Sequence, residues 1–287
     1  MEFRHFCDAD YDAVCDFLIA LNRKDKRHIN WNWARFEWMY EHPEFDKSAR
    51  DAIGLWFDRG AVVGAAIYDM YFGEAFCGVL PKFSALYPEV LRYAYDAQKD
   101  DSGLAIAIAD GSEAEIAQAK ALGFLPIEQT ETILRVDLAQ PPAGTLADGL
   151  RFASLDPVRD ADAIGWLFWQ GFDHGEDREA YERSEKTVPN VRRHFDPRLF
   201  VTAANEAGEP VALCGVWYLA GTDYAYVEPV CTIPAYRKRG VGRAVVCEAL
   251  NRARALGAKQ AYVISDQTFY EKLGFHRSHV FRFYRKS

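Results

Sequence analysis

The strongest constraint on this chain is that its 287 residues repeat themselves at a spacing near 151. Ala119-Lys120-Ala121-Leu122-Gly123-Phe124 aligns with Tyr270-Glu271-Lys272-Leu273-Gly274-Phe275 at that shift, and the apolar run Val62–Tyr68 aligns with 212–219 so that Gly64 falls on Gly215. Each half also opens on a short Phe/Arg strand, Phe3-Arg4 and Arg151-Phe152, ahead of an acidic helix start. Three matches in the same order imply a tandem duplication, and halves of about 140 residues are of ordinary domain size. Ala139–Gly149, AQPPAGTLADG, separates the two apolar-patterned halves with the Pro, Gly and small residues of a linker. The expected division is therefore 1–138, a linker at 139–149, and 150–287.

Within the second half, Asp160–Gly171 and Asp177–Thr187 read as helices and Leu199–Ala204 as a strand. The turn Ala207-Gly208-Glu209-Pro210 returns Val211–Leu219 as a hairpin, and Tyr224–Thr232 follows as the next strand. From Gly242 to Leu256, apolar residues at 245, 246, 249, 250, 253 and 256 mark one helical face, and Gly257 sits at the C-terminal cap position. Gln260–Ile264, a short helix through Tyr270–Leu273 and a last strand His276–Tyr284 complete the half. The fold class expected is α/β with a mixed sheet, in two tandem copies.

Charge narrows the partners. Residues 1–150 hold 14 Lys/Arg against 25 Asp/Glu, a net of −11, and 151–287 hold 20 against 17, a net of +3. Duplex nucleic acid needs basic surface, so it is not an expected partner. The acidic half serves solubility or draws a cationic substrate toward its neighbour; the sequence leaves both open. No apolar run reaches the roughly 18–20 residues that span a bilayer, so no membrane partner is expected. The opening MEFRHFCDADYDAVCDFLIA lacks the basic start of a secretory signal. Cys7, Cys15, Cys77, Cys214, Cys231 and Cys247 form no C-x-x-C pair and have no His at metal-ligand spacing. Reduced thiols, no metal and a cytoplasmic location are the expectation; oligomeric state is not readable. Trp31, Trp33, Phe36, Trp38 and Tyr40 read as core.

Chemistry gathers in Cys231–Arg243, CTIPAYRKRGVGR, between a strand and a helix. Glycines at a helix start let backbone N–H groups point outward with no Cβ in the way, and the helix dipole adds positive potential. Arg237, Lys238, Arg239 and Arg243 surround this anion cradle with charge suited to a pyrophosphate. A dinucleotide fingerprint would need glycine where Val245 stands, and G-x-x-x-x-G-K-[ST] is absent. Pro229 cannot join a ladder, so the strand Tyr224–Val230 should bulge near it and free a backbone donor. Phe83–Gln98, where a first-half counterpart of the cradle would lie, contains no glycine.

P-x-Y-R-x-R-G-x-G-R followed by Phe269-Tyr270-Glu271-Lys272-Leu273-Gly274-Phe275 resembles the Gcn5-related N-acetyltransferase (GNAT) superfamily, over about 150–287, with the first half similar to a degenerate copy. The resemblance implies two tandem acyl-CoA N-acyltransferase domains, the second catalytic, and acetyl-CoA as acyl donor to a primary amine of a small molecule or peptide. It places the CoA pyrophosphate on Arg237, Lys238, Arg239, Gly240, Val241, Gly242 and Arg243, the pantetheine arm along Val230, Cys231 and Thr232, and the proton donor to the leaving thiolate at Tyr270. Many members carry an Asn about seven positions before that tyrosine; here the residue is Val263, and Asp266 is left to cap the following helix. An amine of ordinary pKa near ~10 must lose a proton before attack, and Glu228 is the candidate base, with pairing to Arg237 or Lys238 the other reading. Asp173, His174 and Glu176 lie in the loop that meets the acceptor in this family; a solvated acidic loop capping the next helix is the plainer reading. A non-catalytic acyl-CoA sensor and a transferase of longer acyl groups are the alternatives.

Overall fold

The computed structural model describes residues 1–42, 44–153, 155–156, 158–184 and 193–287. The chain divides into two compact units: Met1–Ile133 with Ile264–Asp266 and Arg277–Ser287, and Leu134–Val263 with Gln267–His276.

In the first unit β1 (Glu2–His5), β2 (Gly54–Asp58), β3 (Ala61–Asp69) and β4 (Tyr71–Val79) pair antiparallel in succession, and β5 (Leu104–Ala109) pairs parallel to β4 at Glu74↔Ala105 and Ala75↔Ile106. Helices α1 (Tyr11–Leu21), α2 (Trp33–Glu41), α3 (Tyr87–Gln98) and α4 (Glu113–Ala121) cover the sheet, which β6 (Leu125–Asp137) closes in the order β1-β2-β3-β4-β5-β12-β6. Asn32 caps α2 by accepting from the Ala34 and Arg35 amides. Trp31, Trp33, Phe36 and Tyr40 are buried and Trp38 half-buried, so the aromatic cluster is core.

The final strand corrects the sequence reading. β12 (His276–Lys286) does not complete the second half: it pairs antiparallel with β5, from Phe281↔Ala109 to Lys286↔Leu104, inside the first unit. The Tyr95 hydroxyl donates to the Ser287 carbonyl at 2.9 Å, fixing the strand's end. Nothing in a single strand's alternation says which sheet receives it.

In the second unit the strand order is β6-β11-β10-β9-β8-β7, with β7 (Arg151–Ala153), β8 (Phe200–Ala204), β9 (Pro210–Tyr218), β10 (Tyr224–Thr232) and β11 (Gln260–Ile264). β8–β9 and β9–β10 are antiparallel hairpin partners, and β11 returns parallel to β10. Helices α5 (Ala161–Gly171), α6 (Arg178–Arg183), α7 (Val241–Leu256) and α8 (Thr268–Glu271) surround it. Of the expected helix Asp177–Thr187, residues 185–187 lie outside the described residues. α7 buries Val245, Val246, Ala249, Leu250 and Ala253 against Val201, Ala212, Cys214 and Ala225, and left-handed Gly257 ends it at φ +115°. The segment 139–149 is laid on α7: Arg243 Nε donates to the Ala143 carbonyl at 2.9 Å, and a Cβ on Gly144 would stand 3.2 Å from Cys247 Sγ.

The repeat is visible in local geometry. Gly123 and Gly274 both have φ +88°, and Phe124 N–H to Ala119 O and Phe275 N–H to Tyr270 O are both 3.1 Å. The two L-G-F corners are the same helix-ending motif built twice. Ala119 is fully buried where the second copy has Tyr270.

Candidate active site

Two features of β10 make the site. Its pairing with β11 runs only from Tyr224↔Gln260 to Tyr226↔Tyr262, so beyond Tyr226 the two parallel strands part company. On its other side the register passes from Val227↔Val216 to Val230↔Cys214, which leaves an extra residue at Glu228-Pro229. This is the bulge expected beside the proline, and it turns the strand at the point where its β11-facing edge is already unpaired. The Glu228–Pro229 peptide is cis. Trp217 Nε1 donates to the Glu228 carbonyl at 2.8 Å, and Gly215 lies beneath the bulge. Neither Trp217 nor Gly215 belongs to a motif; only the recurrence of Gly64 at Gly215 hinted at a requirement there.

Val230, Cys231 and Thr232 form the exit of β10, with Val230 and Thr232 half-buried and Cys231 buried. Burial pushes the Cys231 thiol up to about 12, so it is a packing residue against α5, where a Cβ on Gly171 would stand 2.7 Å from its Cβ. The chain then passes through the turn Pro234–Tyr236 into the basic loop. Lys238 at φ +59° and Gly240 at φ +79° are both left-handed, and Gly240 is the N-cap of α7. This backbone path brings the loop across the start of a 16-residue helix, whose first N–H groups have no intrahelical acceptor. A Cβ on Gly240 would meet nothing within 4 Å, whereas one on Gly242 would press on Thr232 Oγ1 at 3.0 Å.

The four cations of the loop have different employment. Arg237 donates through Nε to the Thr232 carbonyl (2.9 Å) and through Nη2 to the Gly171 carbonyl (2.8 Å), and it pairs with Asp173 at 2.8 Å. Arg243 donates to the Ala143 and Lys272 carbonyls, both at 2.9 Å. Arg239 lies over the Tyr236 ring at 4.8 Å. Lys238 is exposed and has no hydrogen-bond or ion-pair partner among the described residues.

Tyr270 is 7% exposed and sits between Phe269 and Phe275, with ring centroids at 5.0 and 5.5 Å. Burial, then the neighbouring Cys214 and Glu228, push its phenol well above the usual range, so it stays protonated at neutral pH. The structure therefore brings Tyr270 and half-buried Glu228 into one electrostatic neighbourhood. Asp173 faces Arg237 rather than a free acceptor space, the His174 ring lies against Trp169 at 5.0 Å with the planes tilted by 32°, and Glu176 is exposed with no ion-pair partner among the described residues. The cap of α6 is Asp177, which accepts from the Ala180 amide. Asp266 caps nothing: α8 begins after Gln267, with no side-chain cap bond.

In the first unit the corresponding stretch, Pro81–Leu86, is a 3-10 helix running directly into α3, with Leu86 in right-handed geometry and buried. It offers no left-handed turn at the helix start.

Residues 161–275 match the family model of the acetyltransferase (GNAT) family. No curated protein sequence matches the chain at a significant level. Among solved structures, the chain is similar to a tandem GNAT protein from the clavulanic acid biosynthesis pathway (TM-score 0.59, 17% identity, covering 99% of this chain and 98% of that one). It is also similar to a GCN5-related N-acetyltransferase from Sphaerobacter thermophilus (TM-score 0.56, 17% identity, 99% and 95% covered). A GNAT-family acetyltransferase from Colwellia psychrerythraea gives a TM-score of 0.58 at 12% identity, with both chains fully covered. At these identities the likeness establishes the fold, which is that of tandem GNAT proteins, and the family match falls on the second half. No helix among the described residues is long and apolar enough to cross a membrane.

Proposed function

We propose that the second unit transfers an acetyl group from acetyl-CoA to a primary amine of a small molecule or peptide. The observation that carries this reading is the parting of β10 from β11 after Tyr226↔Tyr262, because it leaves the β11-facing edge of β10 without a strand partner along Val230, Cys231 and Thr232, beside the start of α7, with the Thr232 carbonyl held by Arg237. An extended amide-bearing arm can pair with such an edge. The N–H groups at residues 240–243 and the exposed Lys238 suit the diphosphate at the end of that arm. Gly242 fits the role, since its missing Cβ keeps the cradle open next to Thr232. Arg237 and Arg243, whose forks are occupied by backbone carbonyls, serve the cradle by fixing its shape.

Acetyl-CoA supplies an activated acyl thioester. The residues around it then have three tasks. The bulge at Glu228-Pro229 turns backbone polar groups of β10 toward the thioester carbonyl, where a fixed donor stabilises developing negative charge. Glu228 takes the proton that the ammonium must lose before its nitrogen can attack. Tyr270 gives a proton to the leaving sulfur. Burial keeps the phenol protonated until the sulfur leaves; the transfer then passes the negative charge from sulfur to the phenolate, which takes back a proton from the newly acylated nitrogen. Asp173, His174 and Glu176 stand in the loop that meets the acceptor, and the first unit contributes no second cofactor site.

The test is thiol release from acetyl-CoA against a panel of primary amines, with calorimetry of coenzyme A binding in parallel. One coenzyme A per chain and amine-dependent release are expected. Absence of coenzyme A binding, or two molecules per chain, would overturn this reading.

A further inference from the structure

Arg237 stands where the cradle loop and the loop after α5 meet. Its Nε is committed to the last carbonyl of β10, Thr232, and its Nη2 to the last carbonyl of α5, Gly171. Its Nη1 holds the carboxylate of Asp173, two residues further on. The Gly171 carbonyl is among those a helix end leaves without an acceptor role, and a guanidinium there satisfies it and complements the helix dipole. Asp173 is left-handed at φ +65°, a conformation that costs a non-glycine residue energy unless its surroundings fix it. The same short loop carries Phe172, 49% exposed, and His174, whose ring lies tilted against Trp169. The amides of Phe172, Asp173 and His174 bond back to the Phe168, Gln170 and Trp169 carbonyls of α5, and Arg237 is the side chain that ties this loop to the cradle, its own backbone leading into left-handed Lys238 and Gly240.

We infer that Arg237 is a positioning residue that couples the cofactor cradle to the acceptor loop: ordering of residues 238–243 by bound cofactor is passed through its guanidinium to residues 171–174. The inference rests on the cofactor reading above. An exposed ion pair alone would transmit little. Here two backbone carbonyls clamp the planar fork, so a shift of the loop's backbone cannot be absorbed by rotation of a single contact. The coupling is reciprocal, as any linkage between two sites must be. Acceptor groups that order 172–174 strengthen cofactor binding by the same factor.

Amide hydrogen exchange with coenzyme A as the probe tests this without knowledge of the acceptor. In the parent chain, coenzyme A should slow exchange both at 238–243 and at 172–175. In Arg237→Gln, exchange at 172–175 should rise about five- to tenfold before any ligand is added, the scale of losing charge-assisted hydrogen bonds in a local opening. Coenzyme A should then protect 238–243 only. If Arg237→Gln fails to fold, Arg237→Lys keeps the charge but cannot hold the Thr232 and Gly171 carbonyls at once, and should lose most of the protection at 172–175. Protection confined to 238–243 in the parent, or protection of both segments in the folded variants, overturns the coupling while leaving the cofactor reading intact. No protection at 238–243 in the parent overturns both.

Discussion

Gly215 lies so close under Glu228 that a Cβ at 215 would stand 2.5 Å from the Glu228 carbonyl oxygen and 2.8 Å from Pro229 Cδ. The bulge on β10 therefore exists only because β9 offers no side chain at that point. Replacing Gly215 by Ala forces the bulge outward or breaks the Trp217 bond to the Glu228 carbonyl. Overpacking of this kind costs about 1–3 kcal/mol. Urea unfolding should show that loss, accompanied by weaker coenzyme A binding. An unchanged midpoint in Gly215→Ala would show that the strand pair has more room than its geometry indicates.

The two cradle glycines should respond differently. At Gly240 the space is open and the difficulty is the left-handed backbone, worth roughly 1–2 kcal/mol for a residue with a Cβ, so Gly240→Ala should lower stability more than it blocks ligand. At Gly242 the backbone is helical and the difficulty is space, with Thr232 Oγ1 at 3.0 Å and Phe269 at 3.7 Å. Gly242→Val should fold and bind coenzyme A at least tenfold more weakly. Calorimetry and thermal melts on the pair distinguish the two effects; the same pattern in both variants would refute the distinction.

Tyr270→Phe keeps the ring between Phe269 and Phe275 and removes only the hydroxyl. Turnover should fall by about 10²-fold, the scale of a general acid, with coenzyme A affinity within a factor of about two. Because burial raises the phenol above its ordinary value near 10, any basic limb of the parent's pH–rate profile below that value belongs to another group and should persist in the variant. Equal turnover in parent and variant at saturating substrate would remove Tyr270 from the chemistry.

What could be read from the residues follows from how local the physics is. α7, its glycine cap, the β8–β9–β10 meander and the basic loop were legible because periodicity, turn residues and helix-start glycines act within a few positions. The bulge was legible because a proline in a strand has few alternatives. The partner of β12 was not, because alternation fixes a strand's faces and leaves its neighbours open; Phe281↔Ala109 joins residues 172 positions apart. The employment of Arg237 was hidden for a related reason. A basic run beside two glycines signals an anion, but whether a given guanidinium faces solvent or the Gly171 carbonyl depends on where α5 ends. Asp266 misled because a capping residue type next to a helix is common, and here the helix starts one residue later than such a cap requires.

In the first unit, Glu74 on β4 should make stability fall as pH rises toward neutrality. Its carboxyl is pushed up to about 7, first by burial and then by the nearby carboxylates of Asp69 and Glu131, while Arg35 and the Gln129 amide pull it down. Arg35 cannot compensate fully, because it is shared between Asp69 at 2.8 Å and Glu131 at 3.0 Å. Below the ordinary value of 4.5 the folded and unfolded chains both carry the proton; between 4.5 and about 7 only the folded chain does. The folded state binds more protons across that window, so its stability declines as pH climbs through it, by about 1–3 kcal/mol in all. Glu74→Gln keeps the shape and hydrogen-bonding capacity and cannot ionise. Urea unfolding at pH 4.5 and pH 8 should show the variant about as stable as the parent at the lower value and more stable at the higher one. A variant whose stability tracks the parent at both values would mean that Glu74 ionises without penalty, and that the three carboxylates do not share their neighbourhood as the geometry implies.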